Sequence, residues 1–186
     1  MDTPPLPRRK TIRLQNYDYS QNGAYFVTIC TAHKRPLFGV VRRGDPCGRP
    51  PVPVYAELSE IGRIVESYLT EIPSHYPDVH LASYVIMPDH IHMILVLTQN
   101  QPERAGQCPA PTEESDLSCR RGGTPGPPAL PKIINAFKSL TTRKAGCSLW
   151  QRGYYEHILR NQQDFDEAAG YIAGNPVRRL EWEGFL

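Results

Sequence analysis

Two histidines separated by one residue are the first feature with chemical potential, in the run Met87-Pro88-Asp89-His90-Ile91-His92-Met93-Ile94-Leu95. On a strand, residues two apart point to the same face. A strand beginning at His90 therefore projects His90 and His92 together and sends Ile91, Met93 and Leu95 to the opposite side. Two adjacent imidazoles are good ligands for a divalent metal. They could equally be structural histidines whose ring nitrogens are satisfied. Asp89 lies in the turn or points away from the pair, and reads as a turn residue.

Two further segments carry reactive side chains. In Tyr171-Ile172-Ala173-Gly174-Asn175, the tyrosine and asparagine are one helical turn apart and share a face. A phenol can attack phosphorus when a metal polarises the phosphate, and an amide oxygen suits Mg²⁺ or Mn²⁺. Spacing alone favours a plainer reading, with Tyr171 in the core and Asn175 capping the helix. In Leu149-Trp150-Gln151-Arg152-Gly153-Tyr154-Tyr155-Glu156-His157, aromatic and basic residues interleave. Trp150, Arg152, Tyr155 and His157 would suit stacking on bases and holding phosphates. Glu156 and His157 could form an acid–base pair. An ordinary aromatic-rich strand has the same pattern.

These residues need elements to hold them. Tyr25 to Thr31 is rich in β-branched and aromatic residues and reads as a strand, with Asn22-Gly23 as the turn before it. Ser59 caps a helix whose apolar stripe is Ile61, Ile64, Val65, Tyr68, Leu69 and Ile72, stopped by Pro73. Val79–Met87 and His90–Leu97 are strands joined tightly through Pro88-Asp89, hence antiparallel. A helix opens near Pro131, with Ile133, Ile134, Phe137 and Leu140 on its apolar side. Ser148 to Leu159 reads as a fourth strand. Asn161 caps a last helix that Gly174, Asn175 and Pro176 end. The order predicts a ferredoxin-like or RRM-like βαββαβ fold of the α+β class: a four-stranded antiparallel sheet with two helices on one face, and an extra C-terminal helix.

Two stretches break this pattern. Val40 to Pro53 and residues 98–129 are dense in proline and glycine, and read as surface insertions without a helix or central strand. Gly44-Asp-Pro-Cys-Gly-Arg-Pro50 and Cys119-Arg-Arg-Gly-Gly-Thr-Pro125 share a composition that suggests translated GC-rich repeats. Residues 1–16 read as a basic arm on a single domain spanning 1–186.

Charge is informative in its distribution more than its sum. The formal net charge is +2, too small to identify a nucleic-acid binder by itself. Basic residues cluster at Arg8, Arg9, Lys10 and Arg13, at Arg143 and Lys144, and at Arg178 and Arg179. Such clusters suit phosphate contacts, although solvated surface would produce them too. The five cysteines include no close CxxC pair, which argues against a disulfide framework or zinc ribbon and for free thiols in a reducing cytoplasm. Met1 to Lys10 lacks the apolar region of a signal peptide, and no apolar run is long enough to span a membrane.

Four segments together resemble the REP-associated tyrosine transposases, relatives of the single-tyrosine transposases of small insertion sequences. They are Tyr25-Phe-Val-Thr to Phe38-Gly39, Tyr84-Val-Ile-Met-Pro-Asp-His-Ile-His92, Leu149-Trp-Gln-Arg to Glu156-His157, and Tyr171-Ile-Ala-Gly-Asn-Pro-Val177. The resemblance runs from about residue 10 to 180 apart from the two proline-rich stretches. It implies the HUH endonuclease form of the sheet, with His90, His92 and Asn175 holding Mg²⁺ or Mn²⁺ and Tyr171 as nucleophile. It further implies single-stranded DNA beside palindromic hairpins as substrate and a 5′-phosphotyrosine intermediate. A cytoplasmic, nucleoid-associated monomer or homodimer is expected. A hairpin-binding module without catalysis, or a metal-dependent phosphoesterase using water, would share these elements.

Overall fold

The computed structural model describes residues 18–19, 21–43, 54–98, 129–182 and 184. The basic arm with Arg8, Arg9, Lys10 and Arg13, and most of both proline-rich stretches, lie outside the described residues. In chain order the elements are β1 (Gly23–Cys30), β2 (Gly39–Arg42), β3 (Tyr55–Leu58), α1 (Glu60–Thr70), α2 (Ile72–His75), β4 (Val79–Met87), β5 (His90–Leu97), α3 (Leu130–Ala145), β6 (Tyr155–Leu159) and α4 (Gln162–Trp182).

Strands β4, β5, β1 and β6 form one antiparallel sheet in that spatial order. With α1 after β1 and α3 after β5, this is the βαββαβ arrangement expected from the sequence. Period-two burial explains its layering. Tyr25, Val27, Ile29, Ile91, Met93 and Leu95 face one side and pack with Val65 and Leu69 of α1 and Ile133, Ile134 and Phe137 of α3. The alternate residues Phe26, Ile94 and Leu159 face the other side, where Phe165, Ala168 and Ile172 of α4 cover them. Thr28, His92 and His157 lie on this α4 side.

Local chemistry fixes the ends of several elements. Ser59 Oγ accepts the Gly62 N–H at 3.0 Å and donates to Leu37 O at 2.7 Å, so the cap of α1 is also its anchor. A Cβ at Gly62 would lie 2.2 Å from the Phe38 carbonyl oxygen. Only glycine lets the helix approach the chain there. Asn161 Oδ1 accepts the Asp164 N–H at 2.8 Å at the start of α4, as its capping role requires.

The fold corrects the sequence reading in five places. Val40–Arg42 is a strand, paired with Tyr55–Leu58 in a two-stranded ribbon; the proline and glycine density begins only at Gly44, and Val40 and Val41 retain their β preference. Pro73 does not stop α1, which ends at Thr70, but sits in the first turn of α2, where its missing N–H costs nothing. Leu140 is exposed, and Thr141 is the buried residue in the last turns of α3. The fourth strand begins at Tyr155, not Ser148. Residues 151–154 form no strand, and Lys138 Nζ holds them by donating to the carbonyls of Gln151 at 2.7 Å and Gly153 at 2.8 Å. Finally, α4 runs straight through Gly174-Asn175-Pro176 to Trp182. Pro176 forfeits one intrahelical hydrogen bond, but it is buried together with Ile172, Asn175 and Leu180, and this packing outweighs the local preference.

Candidate active site

Strand register places the site. Cys30 pairs with His90, Thr28 with His92 and Phe26 with Ile94 across β1 and β5. On the other edge of β1, Tyr155 pairs with Thr28 and His157 with Phe26. Thr28, His92, Tyr155, Phe26 and His157 therefore share the face beneath α4. The His90 and His92 rings lie 4.6 Å apart between centroids, and the two imidazoles converge as their spacing implied.

Each imidazole is oriented by a hydrogen bond at Nδ1. His92 Nδ1 is 2.8 Å from Thr28 Oγ1, and His90 Nδ1 is 2.7 Å from Asp89 Oδ1. With Nδ1–H donating in both, each Nε2 carries its lone pair toward a ligand. Asp89 is thus more than a turn residue: the turn aims its carboxylate back at His90. The guanidinium of Arg179 stands 3.7 Å from Asp89 Oδ2 and ties α4 to the same carboxylate. Burial is the main cause that pulls the His92 pKa down from 6.5 to about 3, aided by His90 and opposed by Asp89. His92 is therefore neutral at physiological pH, the state a metal ligand needs.

The lowered value has a consequence for stability. Above pH 6.5 His92 is neutral both folded and unfolded. Below 6.5 the unfolded chain takes up a proton that the folded chain refuses, so stability falls until the pH nears 3. The slope is about 1.4 kcal/mol per pH unit, hence about 2 kcal/mol between pH 7.5 and 5. Urea unfolding at the two pH values should show this loss, and His92→Gln should remove most of it. An equal loss in the variant would disprove the assignment.

Tyr171 meets the histidines. Its ring centroid is 5.3 Å from that of His92 and 6.0 Å from that of Phe26, edge-on in both cases. Phe26 in turn stacks on His92 at 5.2 Å. Tyr171 is 40% exposed, which contradicts the core-packing alternative. The guanidinium carbon of Arg178 lies 4.9 Å from the Tyr171 centroid, on the ring face.

Asn175 is 7% exposed, one helical turn after Tyr171. It is not a C-cap, because α4 continues past it. Among the described residues, no three His, Cys, Asp or Glu side chains form a metal cluster. The donors that the geometry brings together are the two imidazoles, and the Asn175 amide lies one helical turn beyond the tyrosine that meets them. Such a set leaves positions for water and phosphate oxygens, as Mg²⁺ and Mn²⁺ sites on phosphate substrates usually do.

The remaining candidates divide. Tyr155, exposed, and His157 line a cavity that also includes His92 and Tyr171. Arg152 lies at the adjoining loop beside Thr28 and Tyr155. Trp150 offers no face to a base. It is buried between Phe38 and Phe137, and its Nε1–H donates to Thr141 Oγ1 at 2.9 Å. Glu156 and His157 are not a pair, because neighbours on a strand point to opposite faces: Glu156 is buried beneath α1 and α3, and His157 is exposed on the α4 side. Arg143 and Lys144 are on α3, across the sheet from Tyr171; Lys144 faces α1 beside Arg63 and Tyr68. Among the described residues no helix is long and apolar enough to cross a membrane.

The sequence reading did not single out Thr28, Phe26 or the pairing of Asp89 with Arg179. Phe26 and Thr28 alternate on one strand, but only register shows that they face His92. The basic pair Arg178-Arg179 was visible, yet its two members point to different groups.

Known proteins are similar to this chain in sequence and in fold. An uncharacterised protein of Haemophilus influenzae is 30% identical over 177 residues, covering 92% of this chain and 90% of its own length. A second protein of that organism, assigned as a REP-associated tyrosine transposase, is 23% identical over 167 residues, covering 89% and 77%. The solved structure of a REP-associated tyrosine transposase bound to a REP hairpin shares the fold, with a TM-score of 0.54 and 18% identity, over 94% of this chain and 75% of that one. No protein-family model matches the chain. With a relative assigned to that group along 89% of its length and a fold shared with a solved member, the chain is similar to the REP-associated tyrosine transposases.

Proposed function

We propose that this protein cleaves and rejoins single-stranded DNA next to palindromic hairpins, through a covalent link between Tyr171 and the DNA 5′-phosphate. The observation that carries the reading is the contact of Tyr171 with His92, which joins two motifs far apart in the sequence into one site. The relative whose solved structure holds a REP hairpin supports the choice of DNA.

The chain's own residues perform most of the work. His90 and His92, aimed by Asp89 and Thr28, would hold Mg²⁺ or Mn²⁺ with the Asn175 amide. When bound, the ion polarises the phosphate and offsets its developing charge. The Tyr171 oxygen attacks phosphorus, the P–O3′ bond breaks, and the leaving 3′-oxygen takes a proton. The phenolic proton is lost to solvent. Arg178 places a cation beside the ring, where it can attract phosphate oxygens. Attack by a free 3′-hydroxyl on the phosphotyrosine reverses the step, so rejoining needs no nucleotide cofactor.

The test is a hairpin-bearing single strand incubated with the protein and Mn²⁺, then resolved on a denaturing gel. A protein–DNA adduct that requires Mn²⁺ or Mg²⁺ is the expected result. Tight binding with no cleavage would mean a module that only binds, and cleavage without any adduct would mean that water attacks.

A further inference from the structure

A cavity of about 420 Å³ opens beside the nucleophile, between the sheet and α4. Its volume lies in the lower part of the range for small-ligand sites, about 300–1,000 Å³. On the sheet side it is lined by Phe26, Tyr155 and His157. On the helix side it is lined by Asp164, Glu167 and Ala168, with Tyr171 at one end. These helical positions are spaced by three and four residues, so the face that carries the nucleophile also forms the wall. His92 lines the cavity; His90 does not.

The lining selects its occupant. Two carboxylates repel phosphate, so this is not a second backbone subsite, despite adjoining a phosphate-handling tyrosine. Aromatic and imidazole faces suit a flat ring. Each carboxylate has one oxygen engaged: Asp164 Oδ2 accepts the Arg160 N–H at 3.0 Å, and Glu167 Oε1 accepts from Gln163 Nε2 at 3.0 Å. The other oxygen of each is left to accept from a ligand. A flat ring with amino donors, covalently next to a phosphate, is an unpaired nucleobase.

We infer that this cavity is a base-reading site for the unpaired nucleotide beside the scissile phosphate, and that it prefers bases with an exocyclic amino group over thymine. The inference rests on the proposed function and adds to it a source of sequence choice that needs neither the hairpin nor a groove-reading helix. Stacking holds the ring, and the Glu167 and Asp164 oxygens accept from its amino edge, as carboxylates accept from cytosine N4 in duplex DNA.

The probe is a synthetic REP hairpin carrying a short randomised single-stranded tail, bound to the full chain with Tyr171→Phe so that only binding is read. Sequencing of the bound fraction should show one tail position at which thymine is disfavoured by about 10-fold, and an abasic residue there should lose at least as much. Ala168→Trp, which fills the cavity, should erase the selectivity. Glu167→Gln, at an exposed position that keeps the fold, should relax the choice among bases but retain the abasic penalty. Equal reading of all tail positions overturns the inference, as does selectivity unchanged in either variant or failure to bind any tail. Adduct formation by the native chain is measured in parallel. An adduct with flat selectivity removes the base site and leaves the proposed function standing. A selective tail with no adduct keeps the base site and removes the cleavage.

Discussion

Tyr171→Phe should abolish the covalent protein–DNA adduct while leaving the protein folded and able to bind hairpin DNA. Loss of a covalent nucleophile costs about 10⁴-fold or more in rate, so adduct should fall below detection on a gel. The variant keeps the ring that meets His92 and Phe26 edge-on and that Arg178 covers. It removes only a hydroxyl from a side chain that is 40% exposed. Stability should therefore change by no more than about 0.5 kcal/mol. That separation makes the experiment decisive. A variant that binds and melts like the native chain yet forms no adduct has lost chemistry alone. Undiminished strand cleavage by the variant would show that water, and not this phenol, attacks the phosphate.

The second large effect is expected at the histidine pair, and it should be graded. His90→Ala removes a donor outright, and cleavage should fall by about 10³-fold, in line with the several kcal/mol an ion contributes at a phosphate. Asp89→Asn leaves both imidazoles in place. It exchanges the charged partner of His90 Nδ1, 2.7 Å away, for a neutral one. Changes of that kind usually cost about 10- to 100-fold in metal affinity or activity. Raising Mn²⁺ should restore most of the Asp89→Asn activity and little of the His90→Ala activity. Calorimetric titration with Mn²⁺ should rank the three proteins in the same order. Native activity in His90→Ala would remove the metal role from this pair.

These experiments draw on residues that the sequence revealed to different degrees. The joint projection of His90 and His92 was readable because strand periodicity is local: two residues apart means the same face in any sheet. The two-residue turn at Pro88-Asp89 and the apolar stripes of α1 and α3 were readable for the same reason, and with them the βαββαβ order. Where local signals misled, longer-range packing had intervened. Pro176 is a helix breaker by chemistry, but burial along α4 carried the helix through it. Trp150 looked like a stacking residue in an aromatic-rich segment, but a hydrogen bond to Thr141 and contacts with Phe38 and Phe137 place it in the core.

The sequence by itself determined the pieces: a histidine pair on one strand face, a tyrosine and an asparagine on one helix face, and the elements that carry them. It also carried the resemblance that names the chemistry. Only the tertiary structure decided that the histidine pair and the tyrosine meet. Register across β1 brings Thr28 to His92, the turn aims Asp89 at His90, and α4 covers the sheet so that Tyr171 lands on His92. The physical reason is one of range. Periodicity and capping act over a few residues and are written into neighbouring letters. The meeting of a strand and a distant helix is set by burial of Ile94, Leu159 and Ile172 between them, and no short stretch of sequence records that contact.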